Sequence, residues 1–93
     1  MTVDPYYAVF EILEELMPDM SYYLLGRIAT AVADFGIPQD RVLYWIHRSK
    51  ISTCRCSYLH RCLVNELNKR GISLEDLDKA RTRRQTNFFI CPR

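Results

Sequence analysis

Proline and glycine residues divide this chain into short segments, and within each segment the apolar residues recur at the spacing of an α-helix. Pro18, Gly36 and Gly71 are the internal breakers. Proline lacks a backbone donor, and glycine readily adopts the left-handed conformation that ends a helix. No stretch of convincing length alternates apolar and polar residues as a half-buried strand would. The sequence therefore predicts an all-α protein, a compact bundle of about five short helices.

The first two helices have clear starts. Asp4 can cap free N–H groups and Pro5 suits the first helical position, so a helix is predicted over residues 5 to 17. Either Asp19 or Ser21 can cap the second helix, which is predicted to end at the central glycine.

Three further helices are predicted in the second half of the chain. Pro38 stands at the expected first position of the third helix, and the fourth is expected to end at Gly71. Ser73 and Asp76 resemble a capping box for a fifth helix. That helix is predicted to continue to about Arg84, where the apolar period is lost.

The length and composition are those of one folded domain. The 93 residues are 48% hydrophobic and 26% charged, which does not fit a disordered chain. A single helical domain over residues 1–93 is expected, with about residues 85–93 as a tail. Acidic residues near the start do not fit a signal peptide, and the apolar stretches fall short of the ~20 residues of a membrane span. A cytoplasmic protein is expected.

The charges are segregated along the chain. Residues 1–40 contain one basic and seven acidic residues, whereas residues 41–93 contain twelve basic and four acidic ones. Such a division can reflect a nucleic-acid-binding face on the second half. It can equally reflect acidic and basic halves that pack together, within one molecule or across a dimer.

The second and third predicted helices resemble a helix-turn-helix. With Gly36 as the turn glycine, the inward positions fall on apolar residues: Ala31, Phe35, Ile37, Val42 and Trp45. Residues 28–47 thus resemble the DNA-binding helix-turn-helix of small regulators, and "IPQDRVLYWIHRSKI" is similar to the recognition-helix segment of excisionase-like and MerR-like proteins. Val32 departs from the pattern, since alanine is usual where the two helices touch. A bulkier side chain there can open the crossing angle.

The resemblance implies a small regulator of transcription that binds double-stranded DNA, expected to be a homodimer, of the kind carried by mobile elements or bacterial operons. The third helix would enter the major groove, and basic residues of the C-terminal half would contact phosphates. The residues expected to contact DNA are Gln39, Tyr44, His47, Arg48, Lys50, Arg55, Arg81, Arg83 and Arg84.

An alternative hypothesis is a helical adaptor or inhibitor that acts by binding another protein. The chain contains six tyrosines, and tyrosine is favoured at protein interfaces because it is apolar and can also form hydrogen bonds. The expected interface residues are Leu43, Tyr44, Tyr22 and Tyr23. Leu43 suits a protein partner better than it suits DNA.

Cys54, Cys56, His60 and Cys62 lie within nine residues, which raises the question of a zinc site. On one helix Cys56 and His60 share a face, but Cys62 lies about 240° round from Cys56. Because the paired C-x2-C spacing of zinc ribbons is also absent, the sequence favours no metal and no cofactor, and leaves a zinc-stapled domain as a third hypothesis. It has no glycine-rich phosphate loop and no recognisable nucleophile arrangement, so an enzyme is not expected.

Overall fold

A computed structural model describes residues 4–90 of the chain, and the side chains of residues 4–84. Five α-helices follow one another: α1 (Pro5–Leu16), α2 (Tyr22–Phe35), α3 (Gln39–Ser49), α4 (Arg55–Lys69) and α5 (Leu74–Ile90). The described backbone contains no strand, so the prediction of an all-α bundle of about five helices is confirmed. None of the described helices has both the length and the apolar character needed to cross a membrane.

Short polar side chains start the first two helices as predicted. The Asp4 carboxylate accepts a hydrogen bond from the Tyr6 backbone N–H at 2.9 Å, and the Ser21 hydroxyl accepts one from the Leu24 N–H at 3.3 Å. Ser21, and not Asp19, is therefore the N-cap of α2. Each cap satisfies a backbone donor that the helix itself leaves without a partner.

A three-residue turn joins α2 to α3. Gly36 adopts the left-handed conformation, with a φ of 75°, and its N–H donates to the Ala31 carbonyl. Pro38 has an extended backbone and precedes α3 as its N-cap residue, so α3 begins at Gln39, one position later than predicted. Gly71 has a φ of 72° just after α4, as expected of a residue that ends a helix.

The start of α5 is also as predicted. The Ser73 hydroxyl accepts a hydrogen bond from the Asp76 N–H at 3.1 Å. On either side of this cap, Leu77 is fully buried and Ile72 is partly buried against the core. Local capping and burial therefore act together at this helix start.

The predicted end of α5 at Arg84 is wrong, because the helix continues to Ile90. Residues 85–90 contain neither proline nor glycine, and the next residue that prevents helix continuation is Pro92. Loss of the apolar period was therefore a poor indicator of a helix end. Residues 91–93 of the predicted tail lie outside the described residues.

The helices pack mainly in three pairs, α1 with α2, α2 with α5, and α3 with α4. All five contribute to a single apolar core. The largest fully buried side chains in it are Leu13, Leu25, Ile28, Ile37, Leu59, Leu63, Leu67 and Leu77. The orientation of α3 is thus set chiefly by its contact with α4.

The turn between α2 and α3 yields a test of the backbone geometry. Replacing Gly36 by Ala should lower the free energy of unfolding by about 1–2 kcal/mol, the cost of holding an L-residue in the left-handed conformation. Apart from its neighbours in the chain, the added Cβ would meet no atom within 4 Å, so the loss should be conformational. Urea unfolding monitored by circular dichroism measures it.

The matched control is Gly36→Asn, since asparagine tolerates the left-handed conformation better than alanine does. It should recover part of the loss. An alanine variant as stable as the unmodified chain would contradict the turn geometry.

Candidate nucleic-acid interface

The inward positions predicted from the helix-turn-helix pattern are confirmed. Four of the five residues, Ala31, Ile37, Val42 and Trp45, are buried, and Phe35 packs half-buried against the same core. The tryptophan is thus a core residue and cannot contribute to a binding surface.

The packing around α3 differs from that of a helix-turn-helix in one respect. In such a motif the two helices support each other across the turn. Here α2 packs mainly on α1 and α5, and α3 packs mainly on α4. Val32, at the position where close contact was expected, is half-buried. The molecule therefore has the turn and the burial pattern of the motif, but α4 supplies most of the support for α3.

The outward face of α3 combines polar, basic and apolar side chains. Gln39, His47 and Arg48 are exposed, as is Lys50 just beyond the helix. Tyr44 is 59% exposed, whereas Leu43 is only 37% exposed. All the α3 residues expected at a binding surface therefore lie in contact with solvent. Ile51, 80% exposed, was not predicted and extends the apolar part of this surface.

A hydrogen-bonded link joins the end of α3 to the start of α4. The buried Ser49 hydroxyl donates to the Ile46 carbonyl at 2.6 Å and accepts from the Arg55 Nε at 3.1 Å. Arg55, predicted to contact DNA, is thereby held beside the last turn of α3. Sequence reasoning missed this role of Ser49, although a serine among the apolar residues of an inward face was a usable signal.

No acidic residue occurs between Asp40 and Glu66, a stretch that spans most of α3 and α4. Three of its basic residues lie where α3 ends and α4 begins: Arg48, Lys50 and Arg55, which we call the basic junction. None of these three forms an ion pair with another described residue. The α3–α4 junction therefore carries three positive charges that no described carboxylate neutralises.

Arg84, expected to contact phosphates, is instead held within the fold. Its guanidinium donates to both Asp34 carboxylate oxygens, at 2.7 and 3.1 Å, and to Asp4 at 3.3 Å, and it lies 4.7 Å from the centre of the Tyr6 ring. The hydrogen bonds to Asp34 are the main reason that the Arg84 pKa is raised. This arginine connects α5 with α2 and with the cap of α1.

Arg81, also expected on phosphates, is only 15% exposed in its side chain. Its guanidinium lies 4.5 Å from the centre of the Tyr23 ring, and Arg27 lies 4.4 Å from the same ring. Arg83 is exposed, so it is the one α5 residue of the predicted set that remains open to solvent. Two of the three α5 arginines predicted to contact DNA, Arg81 and Arg84, therefore pair with carboxylates of the fold instead.

Arg27 joins three helices, a role that was not predicted from the sequence. It donates to both Asp78 oxygens at 3.0 and 2.8 Å, to the Tyr23 hydroxyl at 2.7 Å and, at 3.2 Å, to His60 Nε2. Since arginine can only donate, that imidazole nitrogen is the acceptor. The hydrogen bond from Arg27 keeps the Asp78 pKa below its usual value of 3.8. Arg27 is the only basic residue of the first forty, which could have marked it as paired.

The residues considered for zinc do not converge. Cys54 is exposed at the start of α4, and Cys56 and Cys62 are half-buried free thiols. Hydrogen bonding by the Ser57 hydroxyl, 3.1 Å away, lowers the Cys54 pKa, whereas burial raises that of Cys62. Within the described part of the chain, no three histidine, cysteine or acidic side chains are placed to hold a metal ion. Cys91 lies outside that part.

The four residues of the alternative protein interface are on two helices. Leu43 and Tyr44 are on α3, and Tyr22 and Tyr23 begin α2. Tyr22 is 70% exposed and Tyr23 is 48% exposed, and the two arginines described above lie over the Tyr23 ring. Tyr22 is therefore the α2 tyrosine more open to a partner.

The Arg27–Asp78 pair implies a pH dependence of stability. Asp78 has a lowered pKa in the folded chain, so its stabilising contribution is complete above the unfolded value, near 4, and is lost as the pH falls below it. Replacing Asp78 by Asn should lower the free energy of unfolding at pH 7 by about 1–2 kcal/mol. The substitution should also make the free energy of unfolding fall less steeply as the pH decreases from about 5 to about 2. Urea unfolding at several pH values measures both effects.

Asp19→Asn is the matched control, because Asp19 is exposed, is not the cap of α2 and forms no ion pair with a described residue. It should leave the acid-side slope nearly unchanged. Equal effects of the two substitutions would show that the pair with Arg27 contributes nothing specific.

Comparisons with protein families, with curated proteins and with solved structures find no match to this chain. The functional assignment therefore depends on the residues themselves, and above all on the basic junction and the outward face of α3.

Proposed function

We propose that the protein is a small regulator that binds double-stranded DNA through the outward face of α3 and the basic junction. The observation that carries this proposal is the acid-free stretch between Asp40 and Glu66. The three cations of the basic junction have no carboxylate partner among the described residues, whereas Arg27, Arg81 and Arg84 have acidic neighbours. Unpaired cations on adjoining helices provide the electrostatic term that dominates binding to nucleic acid.

In this proposal the side chains divide into two roles. Gln39, His47 and Arg48 on α3 would face base edges in the major groove, where glutamine suits adenine and arginine suits guanine. Lys50 and Arg55 would contact phosphates and fix the orientation of α3. Arg83 could add a phosphate contact from α5.

A homodimer on DNA follows from the size of the reading element. One helix of 11 residues contacts only a short half-site, and regulators of this kind gain affinity when two copies bind half-sites one helical turn apart. The exposed Leu43, Tyr44 and Ile51 favour a second candidate function, binding of a protein partner by the same face. Only one of these partners can occupy the α3 surface at a time.

DNA binding can be measured by the fluorescence anisotropy of a labelled duplex of random sequence. Log affinity should fall with log salt with a slope of about −3, as expected for three or four neutralised phosphates. Replacing Arg48 by Ala should weaken binding at low salt at least about fivefold.

Lys79→Ala is the matched control. It removes the same charge from an exposed α5 residue, one paired with Glu75, and should change the affinity little. Absence of binding at low salt would refute the DNA proposal and favour the protein partner. Equal affinities of the two variants would show that Arg48 on α3 does not contribute to DNA binding.

A further inference from the structure

The first helix presents a second charged face, which the proposed DNA binding does not use. No basic residue occurs before Arg27. Tyr7, Glu11 and Glu14 follow one another at spacings of four and three residues, and so lie on one side of α1, where all three are exposed. With the exposed Glu15 and Tyr22, they form what we call the acidic face.

The carboxylates of this face have no cationic partner among the described residues. Asp4, Asp34 and Asp78 all form ion pairs with arginines, whereas Glu11 and Glu14 do not. The fold therefore pairs some of its acidic residues internally and leaves those of the acidic face to solvent or to a partner. Repulsion between these like charges would be relieved by a cationic partner.

Aromatic rings make the acidic face more than a solvated row of charges. Tyr7 meets Tyr6 edge to face at 5.2 Å, Tyr6 stacks with Phe10 at 5.8 Å, and Phe10 stacks with Tyr22 at 5.9 Å. Tyr22, at one end of this row of rings, remains mostly exposed. Exposed tyrosine is favoured at protein interfaces because its ring is apolar and its hydroxyl can form hydrogen bonds.

We propose that the acidic face of one copy binds the basic junction of a second copy. The two surfaces have opposite charge, and each lies in a stretch of sequence without the other sign. Both also expose apolar residues, Tyr22 on the acidic face and Tyr44 with Ile51 beside the junction. Within one molecule the glutamates of α1 form no ion pair with the junction, so both surfaces remain available between molecules.

The contact joins two different surfaces, so it either closes as a reciprocal dimer or extends as a chain of copies. In both cases the average molecular mass should rise with protein concentration. It should fall as salt is added, because salt screens the exposed charges that hold the copies together. Since the contact covers the basic junction, assembly and DNA binding exclude each other, a consequence that rests on the proposed function. The assembly without DNA is thus distinct from two copies on adjacent half-sites.

Light scattering after size exclusion provides the first measurement. At about 25 mM salt the mass should rise above that of the 11.0 kDa chain as the concentration increases, and at about 500 mM salt it should return to the monomer value. A monomer at every concentration in low salt overturns the proposal.

Charge reversal identifies the surfaces. The variant Glu11→Arg/Glu14→Arg and the variant Arg48→Glu/Lys50→Glu change only exposed positions, and each alone should be monomeric. Mixed in equal amounts, they restore opposite charges at both contacts, so the mixture should assemble. The control variant Glu75→Lys/Lys79→Glu exchanges an exposed α5 pair and should assemble like the unmodified chain.

If the mixture stays monomeric, this pairing of surfaces is wrong. The Glu11/Glu14 variant keeps the basic junction, so under the DNA proposal it should still bind duplex while failing to assemble. An unmodified chain that assembles without binding DNA would refute the proposed function and support this inference. A chain that binds DNA and remains monomeric would support the proposed function and refute this inference.

Discussion

The pairing of Arg27 with Asp78 is the interaction on which the arrangement of the helices most depends. The Arg27 side chain is only 12% exposed, and a cation so far removed from water is costly unless it is paired. Its guanidinium satisfies that need with groups from α2, α4 and α5, one of them His60 on α4. Since α3 is supported chiefly by α4, the placement of the outward α3 residues follows indirectly from this link.

Local features of the sequence predicted most of the helix boundaries correctly. Ser21, Gly36 and Ser73 act through partners within a few residues, so their roles can be inferred from a short window. The partners of Arg84 lie 50 and 80 positions away, and no local pattern could identify them. The end of α5 was misjudged for a related reason, because helix continuation there depends on the backbone and not on an apolar stripe.

The candidate site was predictable in part. The helical period identified which α3 residues face outward. Residues of one helix face recur every three to four positions, so the outward positions follow once the core face is known. It could not show that Arg81 and Arg84 are held by aromatic rings and carboxylates, because charge along the sequence does not indicate which charges are neutralised in the fold. Of the predicted DNA-contact residues, the structure thus leaves Arg48, Lys50 and Arg55 at the α3–α4 junction without an ion-pair partner among the described residues.

The two hydrogen bonds of the Ser49 hydroxyl have a thermodynamic consequence for any ligand of the basic junction. By holding the Ile46 carbonyl and the Arg55 Nε together, the hydroxyl limits independent rotation of the last turn of α3 and the first turn of α4. The conformational entropy of arranging these side chains is then lost during folding and not during association. A partner would therefore meet a preorganised surface, and more of its contact energy would appear as affinity.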